Sequence, residues 1–293
     1  MDEIRRLGVY TSGGAAPGMN ACVRAVVRSA IAHGIEVIGI RRGYAGMIEA
    51  DFVEMGRQSV SNILQKGGTS LKSARSAAFR TAEGRELAAK HLREAEITAL
   101  VGSGGDGTID NYLFFFFFNY WEYTEIYTAL ENIDRIRDTA DAHDRLFLVE
   151  VMGRDAGFIA LSCGIGGGAE LVLIPEMLTD LDQVKDRILS LMSSQSRSSI
   201  VVIAEGDEIG GAHTVAEALR QDGSFDHIDL RVTGRGHIQR GGRPTARDRV
   251  LASRRGVAAV EARVEGHSSV MVGVVNHDVK LTPLKNVWSR KKE

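Results

Sequence analysis

Eight consecutive residues, Gly104-Gly105-Asp106-Gly107-Thr108-Ile109-Asp110-Asn111, combine backbone freedom with two carboxylates and a hydroxyl. Glycines in such a turn let backbone N–H groups approach a phosphate that a Cβ would hold off. Asp106 is then placed to hold Mg²⁺ on that phosphate, and Asp110 to accept a proton from an attacking hydroxyl. The competing reading of the same letters is a tight strand-to-helix turn carrying two solvated aspartates.

Two further loops have the same character. Residues 12–20, with glycines at 13, 14 and 18, follow an apolar run and precede a helical pattern. A glycine loop at a helix N-terminus suits an anion, although the spacing is not the G-x-G-x-x-G of dinucleotide binders. Residues 67–75 end on Arg75, with Arg80 just beyond. An arginine there can grip a polyphosphate with two donors, the alternative being a surface salt bridge. Further along, Arg154, Glu205, and His237 with Arg240 follow predicted strands, as Asp106 does. In open parallel sheets ligands bind outside the carboxyl ends of the strands.

Strands and helices must alternate to position these groups. Apolar runs at 7–11, 37–40, 97–101, 146–152, 171–174, 200–204, 230–233 and 270–275 read as strands. Met19, Cys22, Val23, Val26, Val27, Ala30 and Ile31 recur at the spacing of one buried helical face. Helical patterns also cover 59–65, 83–94, 133–138, 156–168, 181–191, 212–219 and 245–264, while 236–242 reads as a loop. The alternation predicts a parallel α/β architecture. One stretch obeys neither period. Tyr112, the phenylalanines 114–118, Tyr120, Trp121, Tyr123 and Tyr127 make both faces of any element apolar.

Composition narrows the function. The 293 residues favour two domains, and a net charge of −2 argues against nucleic acid or an anionic membrane surface. The apolar run 113–118 is too short to span a bilayer. Two cysteines, Cys22 and Cys163, form neither a disulfide framework nor a zinc set. The charged N-terminus is no secretory signal, so a cytoplasmic protein is expected.

The chain resembles the phosphofructokinase family, most closely its bacterial ATP-dependent members. The resemblance rests on TSGGAAPGMNA (11–21), GGTSLKSAR (67–75), GGDG (104–107), TIDN (108–111), VEVMGR (149–154), IPE (174–176), AEG (204–206), GHIQRGG (236–242) and DRVLASR (248–254), in family order. It implies two doubly wound, Rossmann-like three-layer α/β domains with a cleft between them. Residues 1–121 with about 245–293 would bind ATP, and 122–244 fructose 6-phosphate. Gly14, Arg75, Ser76, Gly105, Gly107 and Thr108 would face the nucleotide, and Asp106 the Mg²⁺. Asp110 would be the general base, with Thr108 and Arg154 also catalytic. Met152, Gly153, Arg154, Glu205, His237 and Arg240 would hold the sugar phosphate, joined by Arg145 and Arg231 from a neighbouring subunit. The resemblance therefore implies a homo-oligomer, usually a tetramer. It also suggests an ADP or phosphoenolpyruvate effector near Arg24, Arg28, Arg137 and Glu170, although Asp51 stands where an arginine is expected.

The chain departs from the family pattern in several places. GGDG and TIDN, normally separated by a helix and a strand, are fused here, and Tyr112 replaces a second aspartate. Ala15 also replaces an aspartate, while Gly102-Ser103 and Gly234-Arg235 replace aliphatic pairs. Gly107 favours ATP over pyrophosphate as the donor. Two other readings stay open: a catalytically silent sugar-phosphate or nucleotide-binding subunit, and an NAD or lipid kinase sharing the GGDG loop.

Overall fold

The computed structural model describes residues 4–105, 122–140, 145–193, 198–234 and 236–289. The chain divides into two compact units, Met1–Trp121 with Arg240–Glu293, and Glu122–Gln239.

The first unit opens with β1 (Arg6–Thr11), α1 (Met19–Ala32), β2 (Glu36–Ile40), α2 (Tyr44–Glu49), β3 (Phe52–Glu54), α3 (Ala82–Glu94) and β4 (Ala99–Ser103). Its sheet runs β3-β2-β1-β4, parallel except for β3. Successive residues of each strand go to opposite faces, and both faces are covered. Leu7, Val9 and Val101 join Val23 and Val26 of α1, while Ile38, Ile40 and Leu100 join Phe79 and Leu92. Double burial is why these strands read as unbroken apolar runs in the sequence.

The second unit comprises α4 (Glu122–Ala140), β5 (Arg145–Val151), α5 (Phe158–Gly166), β6 (Leu171–Leu173), α6 (Leu181–Ser193), β7 (Ser198–Ala204), α7 (Gly211–Arg220), β8 (Asp229–Gly234) and α8 (Gly236–Gln239). Its four strands are all parallel, in the order β6-β7-β5-β8. Phe147, Val149, Ile200 and Val202 pack beneath Ile133 and Ile159, whereas Leu146, Leu148, Val201 and Ile203 meet Ile188 and Val215.

The chain then returns to the first unit as α9 (Ala246–Val264), the antiparallel pair β9 (Val270–Val275) and β10 (Asp278–Pro283), and α10 (Leu284–Ser289). Thr245 caps α9: its hydroxyl accepts from the Asp248 N–H at 3.2 Å and donates to the Asp248 carboxylate at 2.8 Å. This is a side-chain answer to the unpaired donors of a helix start.

Three local expectations change. Residues 59–65 form turns rather than a helix, because Asn62 takes a left-handed φ of 56°. Val60 and Ile63 still bury, so the apolar spacing serves a turn. The stretch 236–242 begins with the helical turn α8 rather than a simple loop. Strand β10 escapes sequence reading because most of its side chains are exposed and none is buried, so it forms no apolar run. Among the described residues no helix is long and apolar enough to cross a membrane.

Both cysteines are buried, and burial pushes each thiol up to about 12. A raised thiol stays protonated below that value, and the protonated form is a poor nucleophile. At about pH 8, alkylation of the native protein is therefore expected to leave Cys22 and Cys163 unmodified, with both reacting after denaturation. Mass spectrometry of the alkylated chain checks this.

Candidate functional site

In the first unit the ends of β1 and β4 lie level, with Thr11 beside Ser103, and the Ser12 N–H donates to the Ser103 carbonyl at 2.9 Å. The loop 12–18 and the turn beginning at Gly104 therefore leave the sheet as neighbours. Asn20, on the first turn of α1 and almost fully buried, ties in the third loop. Its amide donates to the carbonyls of Lys66 (3.1 Å) and Gly67 (3.2 Å), and its oxygen accepts from the Ser70 N–H at 2.7 Å. The Thr11 hydroxyl bonds the Thr69 hydroxyl and the Lys72 carbonyl, both at 2.8 Å, and the Ser73 hydroxyl donates to the Gly13 carbonyl at 2.7 Å.

The segment after α8 enters the same place. A Cβ on Gly14 would overlap the Arg240 guanidinium, and one on Gly67 would overlap the Gly242 carbonyl. Gly14, expected on the nucleotide, and Arg240, expected on the sugar phosphate, are thus neighbours. Arg75 is exposed and has no ion-pair partner among the described residues, which leaves its fork open to an anion. Ser76 accepts the Phe79 N–H at 3.2 Å. Gly105 is the last described residue of its loop. Asp106, Gly107, Thr108 and Asp110 lie outside the described residues, as does the aromatic run to Trp121.

In the second unit the strand ladder ends at Val151, opposite Ala204. Beyond it the loop Met152-Gly153-Arg154 is held by side chains. Glu205 accepts the Arg154 N–H at 2.8 Å and the Gly153 N–H at 3.4 Å through a single oxygen. Arg154 sits at a left-handed φ of 51°, a conformation that costs a non-glycine residue about 1–2 kcal/mol and persists only where its surroundings impose it. Glu205 imposes it, and so does Gly206, on which a Cβ would overlap the Arg154 carbonyl. Glu176 accepts the Gly157 N–H at the start of α5 with both oxygens, at 2.9 and 3.0 Å. His237 lies on α8, and its side chain is outside the described residues.

Arg145 and Arg231 stand at the other end of the sheet. Asp229 binds both, with the Arg145 Nε at 2.9 Å and the Arg231 Nε at 2.9 Å. The Arg231 hydrogen bond, helped by Arg145, pulls the Asp229 carboxyl below its ordinary value. Arg145 opens a strand whose other end is Val151, so at about 3.3 Å per residue it stands roughly 20 Å from that end, and Arg231, level with Phe147, roughly 13 Å. Within one chain the structure does not bring Arg145 and Arg231 to Met152, Gly153, Arg154 and Glu205.

The expected effector residues are also divided. Arg24 and Arg28 lie on α1 of the first unit. Arg137, on α4 of the second, donates to the carbonyls of Gly167 and Gly168 and pairs with Glu170 at 3.4 Å. Asp51 is occupied by Arg42 at 3.0 Å. One residue that sequence reading passed over is Gln239, fully buried, whose oxygen accepts the Met152 N–H at 2.9 Å. Its only sequence signal is its place inside GHIQRGG.

Known proteins show extensive similarity to this chain. The family model described as Phosphofructokinase matches residues 6–120 and 107–263. The two matches overlap across the fused TIDN motif. ATP-dependent 6-phosphofructokinase 1 of Thermus thermophilus is 50% identical over 311 residues, covering 99% of this chain and 96% of that protein. ATP-dependent 6-phosphofructokinase of Cytophaga hutchinsonii is 45% identical, covering 99% and 94%. Among solved structures, phosphofructokinase from Saccharomyces cerevisiae superposes with a TM-score of 0.87 at 32% identity, covering 96% of this chain and 45% of that one.

The Gly206 contact has a measurable consequence. Gly206→Ala is expected to displace the Arg154 backbone and weaken the two Glu205 bonds. Amide hydrogen exchange at Gly153 and Arg154 should then accelerate at least about tenfold, with exchange in the β7 core unchanged.

Proposed function

The chain belongs to the phosphofructokinase family, and from that premise we propose that it phosphorylates fructose 6-phosphate with ATP in glycolysis. The carrying observation is the 50% identity, over 99% of the chain, to a relative named as an ATP-dependent 6-phosphofructokinase. The glycine loops gathered around Gly14 and Gly67 support a polyphosphate donor, because their backbones approach neighbouring groups where side chains would collide.

The roles follow from charge. Two anionic reactants repel, so transfer needs cations to neutralise and orient them. Arg75 is the proposed nucleotide partner, with Gly14, Ser76, Gly105, Gly107 and Thr108 lining the phosphates. Asp106 is the carboxylate proposed for Mg²⁺, which keeps several waters and takes only one or two carboxylates beside phosphate oxygens. That ion would supply neutralisation of the β- and γ-oxygens. Asp110 accepts the proton of the sugar O1 hydroxyl as O1 bonds to the γ-phosphorus and the β–γ bridging bond breaks, releasing ADP. Met152, Gly153, Arg154, Glu205, His237 and Arg240 hold the sugar phosphate.

The separation of Arg145 and Arg231 from the 152–154 loop supports completion of the site by a second copy. An apolar stripe begins where that loop ends: Phe158, Leu161 and Ile165 of α5 are 62%, 43% and 75% exposed at helical spacing. Such a face is normally covered, and we assign it to the subunit contact of a tetramer. Arg24 and Arg28 remain the anion-binding candidates for an ADP or phosphoenolpyruvate effector. A second reading, a silent sugar-phosphate- or nucleotide-binding subunit, is favoured by Tyr112 and Ala15, each in place of an aspartate.

A coupled assay for fructose 1,6-bisphosphate with ATP and Mg²⁺ tests the proposal. Binding of fructose 6-phosphate without turnover would select the silent reading. Asp110→Asn should lower kcat about 10²- to 10⁴-fold while leaving sugar binding nearly intact. Arg231→Ala should raise the sugar KM about tenfold or more. If sites are shared, co-refolding these two inactive or impaired variants should restore activity that neither has alone. No recovery in a mixed oligomer would count against a shared site.

A further inference from the structure

We infer that Gln239 is a positioning residue that fixes the 152–154 loop, and with it the affinity for the sugar phosphate. The inference rests on the reading of that loop as the fructose 6-phosphate site.

The parallel ladder sets the backbone only as far as Val151, where the Glu205 N–H donates to its carbonyl at 3.0 Å. The next three N–H groups, those of Met152, Gly153 and Arg154, have no strand to receive them. Side chains receive all three, Gln239 the first and Glu205 the other two. In the order β6-β7-β5-β8 these side chains come from opposite flanks of β5. Glu205 follows β7, and Gln239 closes the helical turn after β8. The loop is thus held from both sides, and removing either holder frees it to move toward the other.

Gln239 suits this task because both ends of its amide are engaged at a fully buried position. Its oxygen takes the Met152 N–H at 2.9 Å, and its nitrogen donates to the Glu125 carbonyl of α4 at 3.3 Å. A carboxylate of the same shape would turn a lone pair on the Glu125 carbonyl and bury a charge, and a hydrocarbon would leave the Met152 N–H without its acceptor. The amide also links two groups of sugar-site residues. The turn that carries it also carries His237, so the bond to Met152 ties the 152–154 loop to the turn Gly236–Gln239.

The test uses the full-length protein and two variants, Gln239→Leu and Gln239→Met. Both remove the acceptor, and the flexible methionine fills the volume should the leucine variant fail to fold. Fructose 6-phosphate binding is measured by calorimetry, and KM for each substrate and kcat by steady-state assay. The expected result is a rise in the fructose 6-phosphate Kd and KM of at least about tenfold, with the ATP KM changed less than about twofold. Amide exchange at Met152 should accelerate in the same variants. A purely structural role predicts something else: loss of folded protein lowers the apparent kcat for both substrates together and leaves their KM values alone. That pattern, or unchanged sugar affinity in a folded variant, overturns the positioning role. Failure of the wild-type protein to bind fructose 6-phosphate overturns the functional reading on which it rests.

Discussion

A parallel sheet hydrogen-bonds its strands in register, and its ladder stops where the strands stop. In this protein both sheets end level, Thr11 beside Ser103 in one unit and Val151 beside Ala204 in the other. The loops proposed to hold the two substrates lie beyond those ends, so their geometry is set by side chains reaching back to backbone. Asn20 and Thr11 do this for the loop 66–73, and Glu205 with Gln239 for the loop 152–154. Thr11, Asn20 and Gln239 are buried, which gives them one conformation to offer, while the exposed Glu205 is held by its two backbone bonds. The precision of the site is therefore inherited from the packing beneath it.

Much of this was legible in the letters. Doubly buried strands such as 200–204 announce themselves as apolar runs, and α1 as an apolar face at helical spacing. Ordered motifs identified the family, and the loops around Gly14 and Gly67 have the close approaches that their glycines announced. What escaped depends on contacts distant in sequence. Nothing in Gln239 or Asp229 as isolated letters says that one meets Met152 and the other gathers two arginines. At 59–65, apolar spacing suggested a helix that the left-handed Asn62 interrupts. Spacing reports which residues face the core, and a turn can satisfy the same requirement.

The division of the expected sugar residues into two ends of one sheet follows from strand length alone. Arg145 begins β5 and Arg154 lies past its end, so no side-chain rotation within a chain joins them. A motif list treats such residues as a single set, and only the topology separates them. The same logic applies to Gly14 and Arg240, which the list separates and the fold brings together.

Asp229 adds a thermodynamic consequence. Long guanidinium side chains are mobile in water, and an anion that recruits them must ordinarily arrest that motion as it binds. Here one carboxylate already fans Arg145 and Arg231 about itself, so their rotamers are chosen when the chain folds. The ordering of both arms belongs to the entropy of folding and is absent from the entropy of association. The carboxylate also dilutes their charge, leaving a net excess of one positive charge across the three groups. For the anion proposed to meet these arginines, attraction would be traded for readiness: a weaker pull from a distance and less rearrangement on arrival.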